Sequence, residues 1–155
     1  MKESIISVLT EASDVLRQLQ DDACIIGSSA LALSGIAIEQ VNDLDLLVST
    51  RDAHFLQKAW NDRGIKDYVP GQGDLFRSTF SRFRFAAMDM EVMGDLEVRK
   101  NGNWIPVIVA QHHTIVIGGL KVNIPTLDEQ IRILTLFGRE KDLTKVRLIE
   151  NNLSS

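Results

Sequence analysis

The run VNDLDLLV, Val41 to Val48, is apolar enough for a buried strand yet carries two carboxylates, Asp43 and Asp45. Side chains two positions apart on a strand share a face. Two ionised carboxylates buried side by side repel each other and lose their hydration, unless a cation sits between them. Magnesium suits that place, because its hard charge prefers carboxylate oxygens and it commonly keeps substrate phosphates among its ligands. Upstream, GSSALALSG at 27 to 35 reads as a glycine turn opening a short helix. Gly27 lets the backbone come close to a triphosphate, while Ser28 and Ser29 stand at the helix entrance, where free N–H groups and a hydroxyl can donate to phosphate oxygens. Either stretch alone is weak; together they describe a place for a triphosphate and a divalent metal.

The elements that must hold these residues follow from periodicity. Ile5, Val8, Leu9, Ala12, Leu16 and Leu19 recur on one face of a first helix. DDACIIG is a short buried strand ending at Gly27, and SSALALSG a short helix entered through Ser28 and Ser29 and ended by Gly35. After the DLDLLV strand, RDAHFLQKAWNDRG reads as a helix closing at Gly64, and YVPGQGD as a loop. FSRFRFAAMDMEVMGDLEVRK alternates as one or two strands, Asn101 and Gly102 turn the chain, and IPVIVA returns as a strand.

A second hairpin, TIVIGGLKVNI, is hinged at Gly118 and Gly119. Thr126 and Glu129 have capping-box spacing at the start of a helix carrying Ile131, Leu134 and Phe137; Gly138 interrupts it, and REKDLTKVRLIE resumes with Leu143, Val146 and Ile149. The expected fold class is α/β (α+β): a mixed β-sheet flanked by helices, with one parallel-type unit early and hairpins later.

A chain of 155 residues with 45% hydrophobic content suits one domain, 1–155, with an adequate core. The formal charge of −4 argues against bulk electrostatic binding of nucleic acid, so a nucleotide would be bound at a site. Cys24 is the only cysteine, which excludes a disulfide framework within the chain and leaves it a core residue. No apolar run is long enough for a membrane span, and the N-terminal stretch has helical periodicity and acidic residues where a secretory signal has an apolar core, so the expected compartment is the cytoplasm.

Taken together, GSSALALSG and NDLDLLV, with sixteen residues from Gly27 to Asp43, resemble the signature of the nucleotidyltransferase superfamily related to DNA polymerase β. The resemblance implies the nucleotidyltransferase fold and metal-dependent transfer of a nucleoside monophosphate group from a nucleoside triphosphate to an acceptor hydroxyl. That acceptor is a small molecule, an RNA end or a protein. Asp43 and Asp45 would hold magnesium, and Gly27, Ser28 and Ser29 would cradle the phosphates.

The resemblance also calls for a third carboxylate on a neighbouring strand. In MDMEVMG both Asp89 and Glu91 point to one face, so periodicity does not separate them. Glu91 is favoured as the third metal ligand because it lies deeper in the apolar run. GREKDL at 138 to 143 resembles the R-x-K-D element of AbiEii-type and other stand-alone nucleotidyltransferases, which makes Lys141 or Arg139 a triphosphate contact. The likeness spans roughly residues 20 to 148. The chain departs from the AbiEii-like pattern by having Glu39 and Val41 where arginine and threonine usually precede the aspartates.

Those departures fit a second reading, a catalytically weak or inactive nucleotidyltransferase-fold component of a toxin–antitoxin-type pair, acting by binding a small helical partner protein. Other residues invite blander assignments. His112 and His113 are adjacent on a strand and point to opposite faces, which does not make a metal site. Among Arg77, Arg82 and Arg84, interleaved with Phe76, Phe80, Phe83 and Phe85, the expectation is aromatics packed inward and arginines facing water, with one of them reaching a phosphate.

Overall fold

A computed structural model describes residues 2–68 and 73–154 of the chain. The described residues form five helices and seven strands. In chain order these are α1 (Lys2–Leu16), β1 (Cys24–Ile26), α2 (Gly27–Leu33), β2 (Asp43–Val48), α3 (Thr50–Ala59), β3 (Phe76–Phe83), β4 (Asp89–Lys100), β5 (Asn103–Pro106), β6 (His112–Ile117), β7 (Leu120–Pro125), α4 (Leu127–Phe137) and α5 (Glu140–Leu153). The strands form one mixed sheet in the order β3-β4-β2-β1-β7-β6, with β5 paired to β4.

The mixed α/β class is as expected from the sequence, but the parallel pairs lie elsewhere. β1 and β2, joined through α2, run antiparallel, whereas β2–β4 and β1–β7 are the parallel pairs. Two further boundaries moved. β5 spans Asn103–Pro106, so only Ile105 and Pro106 of the strand expected over IPVIVA belong to it. Beyond Pro106, which has no N–H to donate, a single Val107 N–H bond to the Leu96 carbonyl remains. α3 ends at Ala59, short of Gly64, which instead forms a single bridge to Phe83 at the sheet edge. Most of the loop expected over YVPGQGD lies outside the described residues.

Alternation along the central strands sorts their side chains between two faces. Leu44, Leu46 and Val48 of β2 and Met90 and Val92 of β4 pack with Ile5, Val8, Leu9, Ala53 and Leu56 of α1 and α3 in the larger core. The opposite face carries Asp43, Asp45, Asp89 and Glu91 at one end. Beyond them Leu47, Leu96 and Val98 pack against Ile133 and Phe137 of α4. One face is therefore sealed by helices along its length, and the other is left open where the carboxylates emerge.

Two local devices fix the second face. Thr126 caps α4 by accepting from the Glu129 N–H, yet the Glu129 carboxylate does not complete the capping box: it accepts from the backbone N–H groups of Ala110 and Gln111 and from Arg132. Gly138, at φ 71°, is the left-handed cap that ends α4 and turns the chain into α5 beside the acidic end of the sheet.

α3 lies close on the sheet at Gly94 of β4. A Cβ at Gly94 would sit 2.8 Å from the Cβ of Ala53 and 3.1 Å from that of Thr79. Gly94→Ala is expected to cost about 2 kcal/mol in chemical denaturation, within the usual range for overpacking. An unchanged denaturation midpoint would show that α3 has slack.

Candidate active site

Strand register brings the acidic residues together. In the parallel β2–β4 pair Asp43 stands opposite Asp89, and Asp45 opposite Glu91. The two D-x-D-like spacings read from sequence thus become a square of four carboxylates on one face. In the antiparallel β3–β4 pair Arg82 stands opposite Glu91.

Arg82 departs from the expectation that the arginines of β3 face water. Its guanidinium Nη2 lies 2.6 Å from Asp43 Oδ1 and 3.0 Å from Asp89 Oδ2, and its Nη1 lies 2.7 Å from Glu91 Oε2. The side chain is only 15% exposed, with Tyr68 over the guanidinium plane at 4.5 Å and Tyr68 itself stacked on Phe80. Burial alone would lower the guanidinium pKa, but the hydrogen bonds and charges of Asp43 and Glu91 more than offset it and raise it. Burial, followed by the charge of Glu91, raises the Tyr68 phenol. The cross-strand pairing of arginine with glutamate was hidden in the sequence because the register between β3 and β4 is set by a bulge near Arg77 and Thr79.

Asp45 takes no part in this network. It is partly exposed but closely surrounded, and burial, then repulsion from Glu91 and Asp43, raises its pKa to about 7, against a smaller pull from Lys145 and Lys141. Lys145, one turn beyond Lys141 on α5, was not singled out from the sequence. Burial lowers its pKa, and the charges around it are Asp142, Lys141, Asp45 and Arg139. Its four-residue offset from Lys141 was the available signal, since both then share a helix face.

Gly27 approaches Asp45 closely. Its φ is 70°, and a Cβ there would lie 2.8 Å from Asp45 Oδ2, so the turn needs glycine both for its backbone and for space. α2 begins at Gly27 with Ile26 as an N-cap that makes no side-chain hydrogen bond, so Ser28 and Ser29 stand inside the helix rather than capping it. Ser28 remains partly exposed on the first turn. Ser29 is fully buried and its hydroxyl donates to the Asp43 carbonyl at 3.0 Å, tying α2 to the start of β2. That bond makes Ser29 a residue that positions Asp43 rather than one open to a phosphate.

At the start of α5, Arg139 forms a bidentate pair with the buried Asp142 carboxylate, at 2.6 and 3.0 Å, and lies over the Phe76 ring. Arg139 thus anchors the helix end, while Lys141 is exposed beside it. Asp45, Glu91, Lys141 and Arg139 line a common cleft of about 640 Å³, whose walls include Tyr68, Phe76, Phe80 and Phe137. An acidic floor, a basic rim and aromatic walls in one cleft are what a metal-linked polyphosphate with an attached base requires.

The donors match magnesium in kind: four carboxylates on the same face of neighbouring strands. In arrangement the cation position is taken by Arg82. Among the described residues no group of three acidic, histidine or cysteine side chains is gathered to hold an ion. No helix among the described residues is long and apolar enough to cross a membrane.

No family model and no curated protein sequence matches the chain. Solved structures do. A crystal structure from Thermotoga maritima, of a protein assigned as a nucleotidyltransferase, superposes with a TM-score of 0.76 at 20% identity, covering 98% of this chain and 96% of that one. The solution structure of the antibiotic-resistance factor ANT(2'')-Ia aligns at a TM-score of 0.55 and 15% identity over 98% of this chain and 83% of its own. The crystal structure of ANT(2'')-Ia in complex with adenylyl-2''-tobramycin aligns at 0.53 and 15% identity, over 98% and 88%. The chain has the nucleotidyltransferase fold, a mixed sheet flanked by helices, with its acidic face where β2 and β4 run parallel.

Proposed function

We propose that the protein transfers a nucleoside monophosphate group from a nucleoside triphosphate to an acceptor hydroxyl. The observation that carries this reading is the set of carboxylates on β2 and β4 beside the Gly27 turn, at one end of a cleft with a basic rim. The likeness in fold to ANT(2'')-Ia, whose complex contains adenylyl-2''-tobramycin, supports the reaction class without fixing the acceptor.

In this reading the first turn of α2, with Gly27 and Ser28, faces the phosphates, and Lys141 and Lys145 bring positive charge to the same side. Asp43 and Asp45, with Glu91 as third ligand, would hold magnesium, which when bound supplies charge stabilisation for the attacking and leaving oxygens. The acceptor oxygen bonds to the α-phosphorus as the bond to the β-phosphate oxygen breaks, and pyrophosphate leaves. The hydroxyl proton passes to a carboxylate on β4, Glu91 in preference to Asp89 because Glu91 lines the cleft.

Isothermal titration of each of the four nucleoside triphosphates with magnesium tests the reading. Binding of at least one is expected in the wild type, and is expected to weaken by about a hundredfold or more in a folded Asp43→Asn, Asp45→Asn double variant, since charge-assisted contacts are lost at both ligands. A folded wild type that binds none of the four would sink the proposal. It would leave the second reading, a nucleotidyltransferase-fold module that acts by binding a small helical partner protein. Arg82 in the cation position is the observation that favours that alternative.

A further inference from the structure

We propose that Arg82 is a resident counter-ion of the active site: it holds Asp43, Asp89 and Glu91 together in the metal-free protein and is displaced when a divalent cation binds. The inference rests on the nucleotidyl-transfer reading and assigns a positioning role to a residue of the edge strand.

The geometry is that of a stand-in cation. Arg82, on β3, reaches three of the four carboxylates at 2.6 to 3.0 Å, and those carboxylates come from two other strands, β2 and β4. Without a positive group those carboxylates would face one another across neighbouring strands, where like charges directly opposite destabilise a sheet. One guanidinium charge does not neutralise three carboxylates, so the cluster keeps net negative charge with Arg82 in place. A doubly charged ion neutralises it better than a single charge does.

The displaced side chain has room. Arg82 also lines a second cleft of about 360 Å³ on the outer side of β3, together with Gln57, Asn61, Ser81 and Tyr68. Among the described residues no acidic side chain lines that cleft, and Lys66 does, so the displaced guanidinium would be held there by water and the aromatic ring rather than by a carboxylate. There the guanidinium would gain solvent while keeping its contact with the aromatic edge. Arg82 and the metal therefore compete for the same oxygens, and the apparent metal affinity of the wild type is reduced by the free energy needed to move the arginine out.

Competition gives a direct test with Mn²⁺ as the probe, free ion being counted by electron paramagnetic resonance. Wild type, Arg82→Gln, Arg82→Lys and the Asp43→Asn, Asp45→Asn double variant are compared without nucleotide. Arg82→Gln is expected to bind Mn²⁺ about tenfold or more tightly than wild type, because a charge-assisted competitor has gone. Arg82→Lys, with its compact charge and no guanidinium fork, is expected to fall between them. Metal-free Arg82→Gln is also expected to melt at a lower temperature than wild type and to regain the difference when saturated with Mn²⁺, a linkage that a purely structural arginine would not show.

A folded Arg82→Gln that binds Mn²⁺ no more tightly than wild type overturns the inference. If wild type binds Mn²⁺ and the double variant does not, the metal site of the nucleotidyl-transfer reading still stands in that case. Binding to neither wild type nor Arg82→Gln overturns both. Should Arg82→Gln fail to fold, the wild type decides alone: the Arg82 side-chain Nε–H resonance is expected to lose its protection from exchange when magnesium is added, and a resonance that stays protected while the Asp43 and Asp45 amides respond overturns the displacement.

Discussion

Asp45→Asn is expected to make the metal-free protein more stable at pH 8 and to leave its stability unchanged at pH 4. The folded structure raises the Asp45 carboxyl from its ordinary 3.8 to about 7, through burial first and through repulsion from Glu91 and Asp43 next. A raised carboxyl pKa means that the native state binds the proton more tightly than the unfolded chain. Stability contributed by that proton is complete below pH 4 and is lost as the pH climbs toward 7. Above pH 7 the wild type carries an ionised Asp45 that the fold disfavours, by an amount on the order of 2 kcal/mol after allowance for the partial exposure of the group.

Asparagine carries no charge and removes that penalty at high pH only. Chemical denaturation in chelator-containing buffer at pH 4 and pH 8 measures the difference directly. Equal effects at the two pH values would show that Asp45 is not held away from its ionised state. The same substitution is expected to abolish magnesium-dependent triphosphate binding, which would place Asp45 among residues kept for function at the expense of stability.

How far this site could be read from the sequence depended on whether the signal was local. The Gly27 turn, the short helix after it and the D-x-D pair on one strand face are each set by neighbours along the chain, and the structure places all three together. Periodicity could put Asp89 and Glu91 on one face, but only strand order puts that face beside Asp43 and Asp45. The parallel β2–β4 pairing comes from topology, and the antiparallel return of β1–α2–β2 is not legible because a strand, a short helix and a strand joined over sixteen residues suit either direction.

Arg82 was misassigned for the same reason. An arginine between phenylalanines on an edge strand has the alternation of a solvated face, and its three partners lie 7, 9 and 39 residues away. Ser29 and Arg139 illustrate the reverse case: both have the residue type a phosphate contact needs, yet each is committed to a protein partner that sequence does not reveal, the Asp43 carbonyl for one and the Asp142 carboxylate for the other. Lys145 is legible only in three dimensions, where its charge acts on Asp45.

Gly27→Ala is expected to reduce magnesium–triphosphate binding by about a hundredfold while costing only about 1–2 kcal/mol of stability, the ordinary strain of a Cβ in the left-handed region. Gly35 supplies the comparison. It too has positive φ, 84°, but a Cβ there would meet nothing within 4 Å, whereas a Cβ at Gly27 would sit 2.8 Å from Asp45 Oδ2. Gly35→Ala should therefore show the backbone strain alone, with nucleotide binding kept. At Gly27 the same strain is joined by a collision with the Asp45 carboxylate, which stands opposite Glu91 across the strand pair and is repelled by it if pushed that way. Either the turn moves away from the phosphates or Asp45 leaves its place among the acids, and binding suffers in both cases. Titration calorimetry and denaturation of the two variants separate the effects. Equal binding by Gly27→Ala and Gly35→Ala would mean that contact between the turn and Asp45 has no part in holding the nucleotide.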